Sequence, residues 1–572
     1  MLNKRIIKCV NILLVVWFLC IPLFWRFDLT KGNAANYDAF GMAPSAIFHI
    51  VIFFFLSFIS ICFGGTALYH VLLLVLYFPF IQIVNLPYLT ERDVYLHAAP
   101  VRGILANGHL TGTLDVAPSW PGSFDLHAIT TIVSGCNVIY ANYILFLSLS
   151  ITLALVLYAL VRVLKRNGYG TAWVSVLLFP CLFLNYAFSD FTHYSRNALG
   201  FVLLFVFFLL FSMRSTGRHG LVLQLLTITS IAFTHPFQSF ALVVFCFASI
   251  VISRRTGGIL LALFSLVTFL GNIYFQGYST FVQGVNQLGS LFSTHYSAPL
   301  VASFSTRGNL PWWGLFSSNY YKYSLVVLLL TGIFAAILLF KEKKHTKTTA
   351  GLSSVLFSSM VMLFLLILLP DWGVSRFVMF AAFPASFSSF LLLEETLKTR
   401  TANVLSRIYH VFTHRLTLAI LLLFVITLST SVMVSNFETN YYFGELSHPA
   451  ELSSLSFFVT VDHNSSVNIV SWRTSVYYNY FDYNASHNML GLWYLDLNKI
   501  GQNSSKLLFS QSQLINQSDF VIRGMRDVLD FQQFNSTQDL LRTMDEKLIL
   551  PTFNQIYCNG NYSVYRRALL QP

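Results

Sequence analysis

The sequence predicts an all-α polytopic membrane protein of about 13 transmembrane helices, followed by a small external α/β domain. Hydrophobic residues make up 55% of the 572 residues and charged residues only 10%, whereas a soluble domain carries about 25% charged residues. Apolar runs long enough to cross a bilayer recur as far as residue 435, and the segment 436–572 is polar. We therefore divide the chain into a transmembrane domain over 1–435 and an external domain over 436–572.

Runs of about 17–25 apolar residues predict the membrane spans. They begin near residues 6, 44, 66, 139, 170, 196, 219, 237, 258, 323, 351, 376 and 416, and the stretch 219–253 also fits one broken helix. The first run is not followed by a small-residue cleavage site, so no cleavable signal peptide is predicted. Five of the seven cysteines lie within apolar runs, so we expect a fold that does not depend on disulfides.

The distribution of lysine and arginine predicts the orientation of these spans. With the N-terminus inside, the internal segments hold 18 basic and 3 acidic residues, and the external loops before residue 436 hold 8 of each. The segment 436–572 holds 9 basic and 12 acidic residues. The net charge of +12 is thus an excess on the cytoplasmic side, which excludes a nucleic-acid partner as its explanation. We predict a multi-pass protein, in the plasma membrane, with a cytoplasmic N-terminus and an external C-terminus.

The external domain carries all the predicted sites of N-glycosylation. Each is an Asn-x-Ser/Thr sequon, and none precedes residue 436: Asn464, Asn484, Asn503, Asn516, Asn535 and Asn561. Short β-rich runs at 467–472, 506–510 and 519–524 surround a helical stretch near 525–547. The turn Asn559-Gly560 predicts a hairpin between 554–557 and 562–566. These patterns are typical of an α/β domain.

A polar external loop over 87–138 is the strongest functional signal in the membrane part. Loops of this length without strong apolar character are uncommon and are usually functional or disordered, and this one is not of low complexity. It supplies groups suited to acid/base chemistry or metal binding: Glu91, Asp93, His97, Arg102, His109, Asp115 and Asp125. We predict an ordered loop that carries a site at the membrane surface.

Three further external connections present ionisable groups at the predicted ends of spans. They contain, in chain order, Asp190, His193 and Arg196; His235 within Thr234-His235-Pro236; and Asp371 and Arg376. Charges within a bilayer are rare unless they are used, because burying one at its centre costs roughly 2.5–3.5 kcal/mol. Since four connections place an acid, base or imidazole at one depth, we predict that they share a site.

Each of these residues also fits an ordinary structural role. Arg196 and Arg376 fit interfacial arginines that extend toward the membrane surface. His235 fits a residue that forms local hydrogen bonds next to a helix-breaking proline, and Asp93 fits the N-cap of a following helix. The remaining loop carboxylates fit turns: Asp115 and Asp125.

Four short motifs together resemble the type-C (GT-C) membrane glycosyltransferases, particularly archaeal-type members with a small external C-terminal domain. They are Glu91-Arg-Asp-Val-Tyr-Leu-His97, Trp120-Pro-Gly-Ser-Phe-Asp-Leu-His-Ala128, Thr234-His-Pro236 and Ser375-Arg-Phe377. Oligosaccharyltransferases, protein O-mannosyltransferases and lipid A aminoarabinose transferases belong to the same family. Here the acidic loop follows the third span instead of the first, so 1–65 would be an added helix pair. The family's Asp-x-Asp pair and Trp-Trp-Asp motif are missing from this sequence.

The resemblance implies transfer of a sugar from a polyprenyl-phosphate donor to a glycan, lipid or protein acceptor on the external face, with inversion. It implies Asp93 as the catalytic base, or as the ligand of a divalent metal such as Mg or Mn. The donor phosphate would be bound by Arg376, Arg196 and His235, with His193 and Arg102 behind them. Candidates for contact with the acceptor are Glu91, His97, Asp115, Asp190 and Asp371.

Other classes of membrane protein share parts of this pattern. A transporter or lipid flippase would have as many spans, but it should show midplane charges, broken helices or an internal repeat. A non-catalytic scaffold with a glycosylated ectodomain would explain the sequons but not the external clustering of acids, histidines and arginines. An O-antigen-type ligase or polymerase would use similar chemistry.

Overall fold

The computed structural model describes residues 4–24, 43–64, 68–84, 92–109, 120–166, 194–213, 218–253 and 257–275, single residues 282 and 333, and five strands after residue 467. Its helices are α1 (Lys4–Leu19), α2 (Ile21–Phe24), α3 (Ala43–Gly64), α4 (Leu68–Val84), α5 (Arg92–Asn107), α6 (Gly122–Ser134), α7 (Val138–Arg166), α8 (Arg196–Ser212), α9 (Arg218–Thr234), α10 (Pro236–Ser253) and α11 (Gly257–Phe275).

The described helices agree with the apolar runs of the sequence. Helices α1, α3, α4 and α7–α11 begin within two residues of predicted spans, and only His235 separates α9 from α10. The spans predicted near 170, 323, 351, 376 and 416 lie outside the described residues, so the total of about 13 stays a prediction. Within the described part, two helices are long and apolar enough to cross a membrane, over Val138–Val163 and Gly258–Phe275.

Helix α11 displays the apolar exterior that a lipid environment favours. Val267 is 67% exposed, Tyr274 74% and Phe275 82%. Contiguous exposed apolar surface of this kind is typical of membrane or protein contacts and is rare on soluble monomers. Together with the composition of the whole chain, this surface fits an integral membrane protein.

Helix α7 lies at the centre of the helical part and packs against α4, α6 and α8. Its buried side chains share one core with those of α8 and α10, including Phe146, Phe207 and Phe245. The rings of Phe207 and Phe245 meet edge to face at a centroid distance of 5.9 Å, an arrangement that aromatic quadrupoles favour. This core fixes the first residues of α8 and α10 relative to α7.

The N-terminal helices α1 and α3 join α4 through buried polar groups. The ring of His49 is bonded through Nε2 to the Trp17 carbonyl at 2.8 Å and through Nδ1 to the Tyr77 hydroxyl at 2.6 Å. A second contact links Ser60 Oγ to His70 Nε2 at 2.5 Å. Polar bonds between apolar helices add to the association of those helices.

The described part of the C-terminal segment forms a five-stranded mixed sheet of order β2-β1-β3-β5-β4. The strands are β1 (Asn468–Ser471), β2 (Asn488–Gly491), β3 (Phe520–Gly524), β4 (Phe553–Cys558) and β5 (Tyr562–Arg567). The predicted hairpin is confirmed, because β4 and β5 pair antiparallel. Strand β2 was not predicted, and 506–510, the helix near 525–547 and the 435/436 boundary lie outside the described residues.

Candidate functional site

The predicted external loop contains two helices, α5 and α6. Asp93 is the second residue of α5, so the N-cap role that its sequence position also fitted is wrong. An acidic residue in the first turn complements the positive end of the helix dipole. Asp125 likewise lies in the first turn of α6, not in a turn between elements as expected. Each helix of the loop therefore has a carboxylate residue in its first turn.

The ring of Phe124, in the first turn of α6, brings two of the predicted site residues together. The guanidinium carbon of Arg196 lies 5.4 Å from the centroid of this ring, within the range of a cation–π contact. The His97 ring lies 6.2 Å from the same centroid. Arg196 thus faces α6 and contacts Phe124.

The end of α9 and the start of α10 adjoin the same region through one contact each. Gly122 at the start of α6 lies against the backbone of Phe233, near the end of α9: a Cβ on this glycine would stand 3.2 Å from the Phe233 carbonyl oxygen. Gln238, in the first turn of α10, donates a hydrogen bond to the side-chain oxygen of Asn197. The N-terminal turns of α6, α8 and α10 therefore meet at one end of the helical part.

His235 forms the junction between α9 and α10 and is only 6% exposed. Its Nδ1 accepts a hydrogen bond from the Phe237 N–H at 3.3 Å, so in the neutral ring the proton lies on Nε2. The local hydrogen-bonding role that the sequence left open is therefore present. It also fixes the orientation of the ring at the start of α10.

Three buried residues that the sequence analysis did not select support this region: His127, Asn142 and Tyr194. Asn142 Nδ2 donates to the Tyr194 carbonyl at 2.9 Å, and Asn142 Oδ1 accepts from the Tyr194 N–H at 3.0 Å. The Tyr194 hydroxyl donates to the Ser123 carbonyl at 2.9 Å. The signal in the sequence that could have found Asn142 is a lone asparagine within an apolar span.

Burial shifts the pKa values of two side chains of α6, His127 and Asp125. The His127 Nε2 donates to the Val138 carbonyl at 2.8 Å, and desolvation lowers the pKa of this imidazole to about 4, with the hydrogen bond opposing it. The pKa of the Asp125 carboxyl is raised by partial desolvation. At neutral pH the His127 ring is thus an uncharged structural link between α6 and α7.

Several predicted site residues remain untested because they lie outside the described residues or have undescribed side chains. The side chain of Asp93 belongs to this group, as do Glu91, Asp115, Asp190, His193, Asp371 and Arg376 and the sequons at Asn464, Asn484, Asn503, Asn516, Asn535 and Asn561. Arg102 is half-buried further along α5. In the described part, no three His, Cys, Asp or Glu side chains are grouped to hold a metal ion, so metal binding by Asp93 stays a prediction.

The contacts described above link residues of three of the four predicted external connections. Arg196 supplies a cation, His97 and His235 supply imidazoles, and three helix N-termini supply positive dipole ends. Such a set suits the binding of a phosphate group next to an apolar ring.

Comparison with known proteins gives similarities to solved structures alone. No family model matches the chain, and no curated protein matches it. One similar structure is the archaeal oligosaccharyltransferase AglB from Archaeoglobus fulgidus in complex with an inhibitory peptide and a dolichol-phosphate, at 12% identity and a TM-score of 0.49, over 88% of this chain and 74% of that one. Another is ArnT from Cupriavidus metallidurans bound to undecaprenyl phosphate, at 10% identity and a TM-score of 0.46, over 87% of this chain and 98% of that one.

Proposed function

We propose that this protein is a membrane glycosyltransferase that moves a sugar from a polyprenyl-phosphate donor to an acceptor on the external face. The proposal rests on one arrangement of residues. Asp93 and His97 occupy positions four apart on α5. The His97 ring contacts the ring of Phe124, and the guanidinium of Arg196 contacts the same ring. Positions four apart share a helix face. The carboxylate position and the cation position thus belong to one side of α5 and α6.

The transfer requires a base for the acceptor and a positive environment for the leaving group. The acceptor oxygen forms a bond to the anomeric carbon while the bond from that carbon to the phosphate oxygen breaks. The acceptor proton passes to the carboxylate of Asp93, and the bonding electron pair leaves with the lipid phosphate. Direct attack inverts the anomeric centre.

Arg196 and His235 are the described candidates to stabilise the leaving phosphate. A guanidinium offers two parallel N–H donors to one phosphate, and a positioned donor at the developing charge typically contributes 100- to 1000-fold, or about 3–4 kcal/mol. The sequence also predicts Arg376 and His193 as members of this group. The polyprenyl chain of the donor would lie along the apolar helices beside the site.

A divalent metal such as Mg or Mn would be held by Asp93, with further ligands from the loop carboxylates. When bound, it would offset negative charge on the donor phosphate. The described part supplies Asp125 as an exposed carboxylate of the same loop, which is compatible with an oxygen-ligand site. The cation and imidazole of Arg196 and His235 bind phosphate without such an ion.

The test is sugar transfer by the protein reconstituted with membranes that supply the acceptor. Polyprenyl phosphates carrying tritiated glucose, mannose or galactose are offered, and the matching nucleotide sugars serve as the comparison. We expect label to leave at least one lipid donor, and none to leave the nucleotide sugars directly. Intact donor recovered on the opposite side of sealed vesicles would instead indicate the flippase class.

Arg196→Lys tests the role of the guanidinium within the same assay. It retains the charge but loses the two parallel donors, so we expect donor turnover to fall about 10-fold or more. Arg218→Lys is the matched control, because Arg218 is exposed at the start of α9. Equal turnover in the two variants would remove Arg196 from the phosphate site.

A further inference from the structure

We propose that Asn142 of α7 is a positioning residue that holds Arg196 in place by binding both backbone groups of Tyr194. The inference rests on the proposed function for its kinetic consequence, but its geometry is independent of any substrate. Asn142 touches neither the predicted base nor the ring of Phe124 in any described contact. It acts through the chain segment Tyr194–Arg196.

Asn142 forms two hydrogen bonds with the backbone of Tyr194. The side-chain amide gives its N–H to the Tyr194 carbonyl at 2.9 Å and takes the Tyr194 N–H on its oxygen at 3.0 Å. Asn142 is fully buried, where an unpaired amide would cost several kcal/mol in an apolar setting. Asparagine is short and carries one donor group and one acceptor. Aspartate lacks the donor, and leucine lacks both.

Tyr194 also contacts α6 through its hydroxyl and its ring. Its hydroxyl donates to the Ser123 carbonyl of α6 at 2.9 Å, and its ring meets the His127 ring edge to face at 5.7 Å. The tyrosine is only 2% exposed. With Asn142 on its backbone, Tyr194 ties the chain before α8 to both α6 and α7.

The chain runs from Tyr194 through Ser195 to Arg196 at the start of α8. Ser195 is the extended N-cap of α8, and its side chain accepts from the Ala198 N–H at 3.1 Å. Arg196 follows as the first residue of α8, and its guanidinium lies on Phe124, the residue after the Ser123 that Tyr194 binds. One turn of α6 therefore contacts the Arg196 side chain through Phe124. The same turn binds Tyr194, two residues before Arg196, through Ser123.

These contacts give Asn142 a specific kinetic role. A displacement of about 1 Å at a positioned group is enough to cost 100-fold in rate. Loss of the Asn142 pairing would release the segment before α8 and allow Arg196 to shift from Phe124. The effect should appear in use of the donor, since Arg196 is assigned to the donor phosphate, and not in use of the acceptor.

The kinetic test uses Asn142→Leu, Arg196→Ala and the double variant in the full-length protein. We expect Asn142→Leu to lower kcat/KM for the donor about 10-fold or more without changing KM for the acceptor. In the Arg196→Ala background the same change should have little further effect, because the two residues act as one unit. Additive losses, or unchanged donor kinetics in Asn142→Leu, would overturn the proposal. Ser150→Ala is the control, because its buried hydroxyl binds only the Phe146 carbonyl within α7 among the described bonds.

Tyr194→Phe covers the case in which Asn142→Leu fails to fold. It removes only the hydroxyl bond to Ser123, so a smaller loss confined to the donor is expected. A loss of the same size for donor and acceptor, or no loss, would contradict the proposal.

A chemical readout separates this inference from the transferase proposal. Phenylglyoxal modifies accessible arginines, and mass spectrometry gives the rate at each position. We expect Arg196 to react several-fold faster in Asn142→Leu or Tyr194→Phe than in the wild type, with exposed Arg218 as the internal reference. Unchanged Arg196 reactivity would overturn the positioning role even if sugar transfer is found. Faster reactivity in a protein that transfers no sugar would preserve the positioning role and reject the function.

Discussion

Gly122 lies so close to Phe233 that a Cβ at residue 122 would stand 3.2 Å from the Phe233 carbonyl oxygen. This contact sets the start of α6, which carries Phe124, against the end of α9, next to His235. The contacted atom is backbone within a helix end, so it has little freedom to move away. The absence of a side chain at Gly122 thus allows the two helix ends to meet.

Gly122→Ala should shift α6 by a few tenths of an ångström and weaken the packing of the site. We expect a lower melting temperature in detergent and a several-fold loss of donor turnover, since overpacking typically costs about 1–3 kcal/mol. Gly271→Ala is the control, because nothing lies within 4 Å of the added Cβ there. Matching behaviour of the two variants would contradict the role of this contact.

Protonation of His127 should destabilise the protein in acid. Its pKa is lowered to about 4 from about 6.5 in an unfolded chain, so between these values the unfolded state binds a proton that the folded state does not. The contribution of neutral His127 to the free energy of unfolding is fully present above pH 6.5. It declines as pH falls toward 4, by on the order of 3 kcal/mol.

Thermal unfolding in detergent from pH 7.5 to 4 measures this effect. His127→Gln keeps an N–H donor for the Val138 carbonyl but cannot titrate, so its melting temperature should fall less steeply over the same range. Parallel curves for the two proteins would show that His127 does not control the acid response.

The N-terminal helix pair should depend on His49 for its attachment to α4. His49→Phe preserves the aromatic stacking with Trp17, whose ring centroid lies 5.2 Å away, but leaves the Tyr77 hydroxyl and the Trp17 carbonyl without these bonds. The Trp17 carbonyl keeps its bond from the Cys20 N–H, so the expected cost is that of the lost hydrogen bonds, typically about 0.5–1.5 kcal/mol each. We expect a clear drop in melting temperature, and little change in Phe55→Leu, whose side chain is 41% exposed. Equal stability of the two variants would argue that the polar bonds contribute nothing.

The spans of the helical part could be predicted because each one buries or exposes a continuous apolar run. The starts of α7 at Val138 and α8 at Arg196 follow directly from such runs in the sequence. Strand β2 was missed because Asn488–Gly491 contains no β-branched residue and too few residues to show alternation.

The support of the site could not be predicted because it depends on pairings between distant positions. Asn142 and Tyr194 are 52 residues apart and meet through backbone groups, which no local pattern records. The hydrogen bond from the Phe237 N–H to His235 Nδ1 likewise involves a backbone group. By contrast, Arg196 and His97 could be selected from the sequence because a charge and an imidazole stand out in an apolar chain. Both contact the ring of Phe124, and their roles stay predictions.

The positions of basic residues and sequons predict which side of a membrane each segment occupies. From the excess of basic residues over 341–347 and the sequons beyond residue 436, we predict that these segments lie on opposite sides. Protease added outside sealed, right-side-out vesicles should therefore remove a C-terminal tag and leave a tag inserted at residue 345 intact. A protected C-terminus would reverse every assignment of side.

Asp93→Asn gives the most direct test of the transferase proposal. The amide keeps the size of the side chain but cannot take the acceptor proton. The substitution should lower the melting temperature only slightly, because it removes one first-turn charge from the helix dipole of α5. The measurement is the rate of tritiated sugar transfer from the polyprenyl-phosphate donor at saturating concentrations, compared with the wild type. We predict a rate at least about 100-fold lower, the range for loss of a general base. A variant that folds and transfers sugar at close to the wild-type rate would contradict the assignment of Asp93 and the site built around α5 and α6.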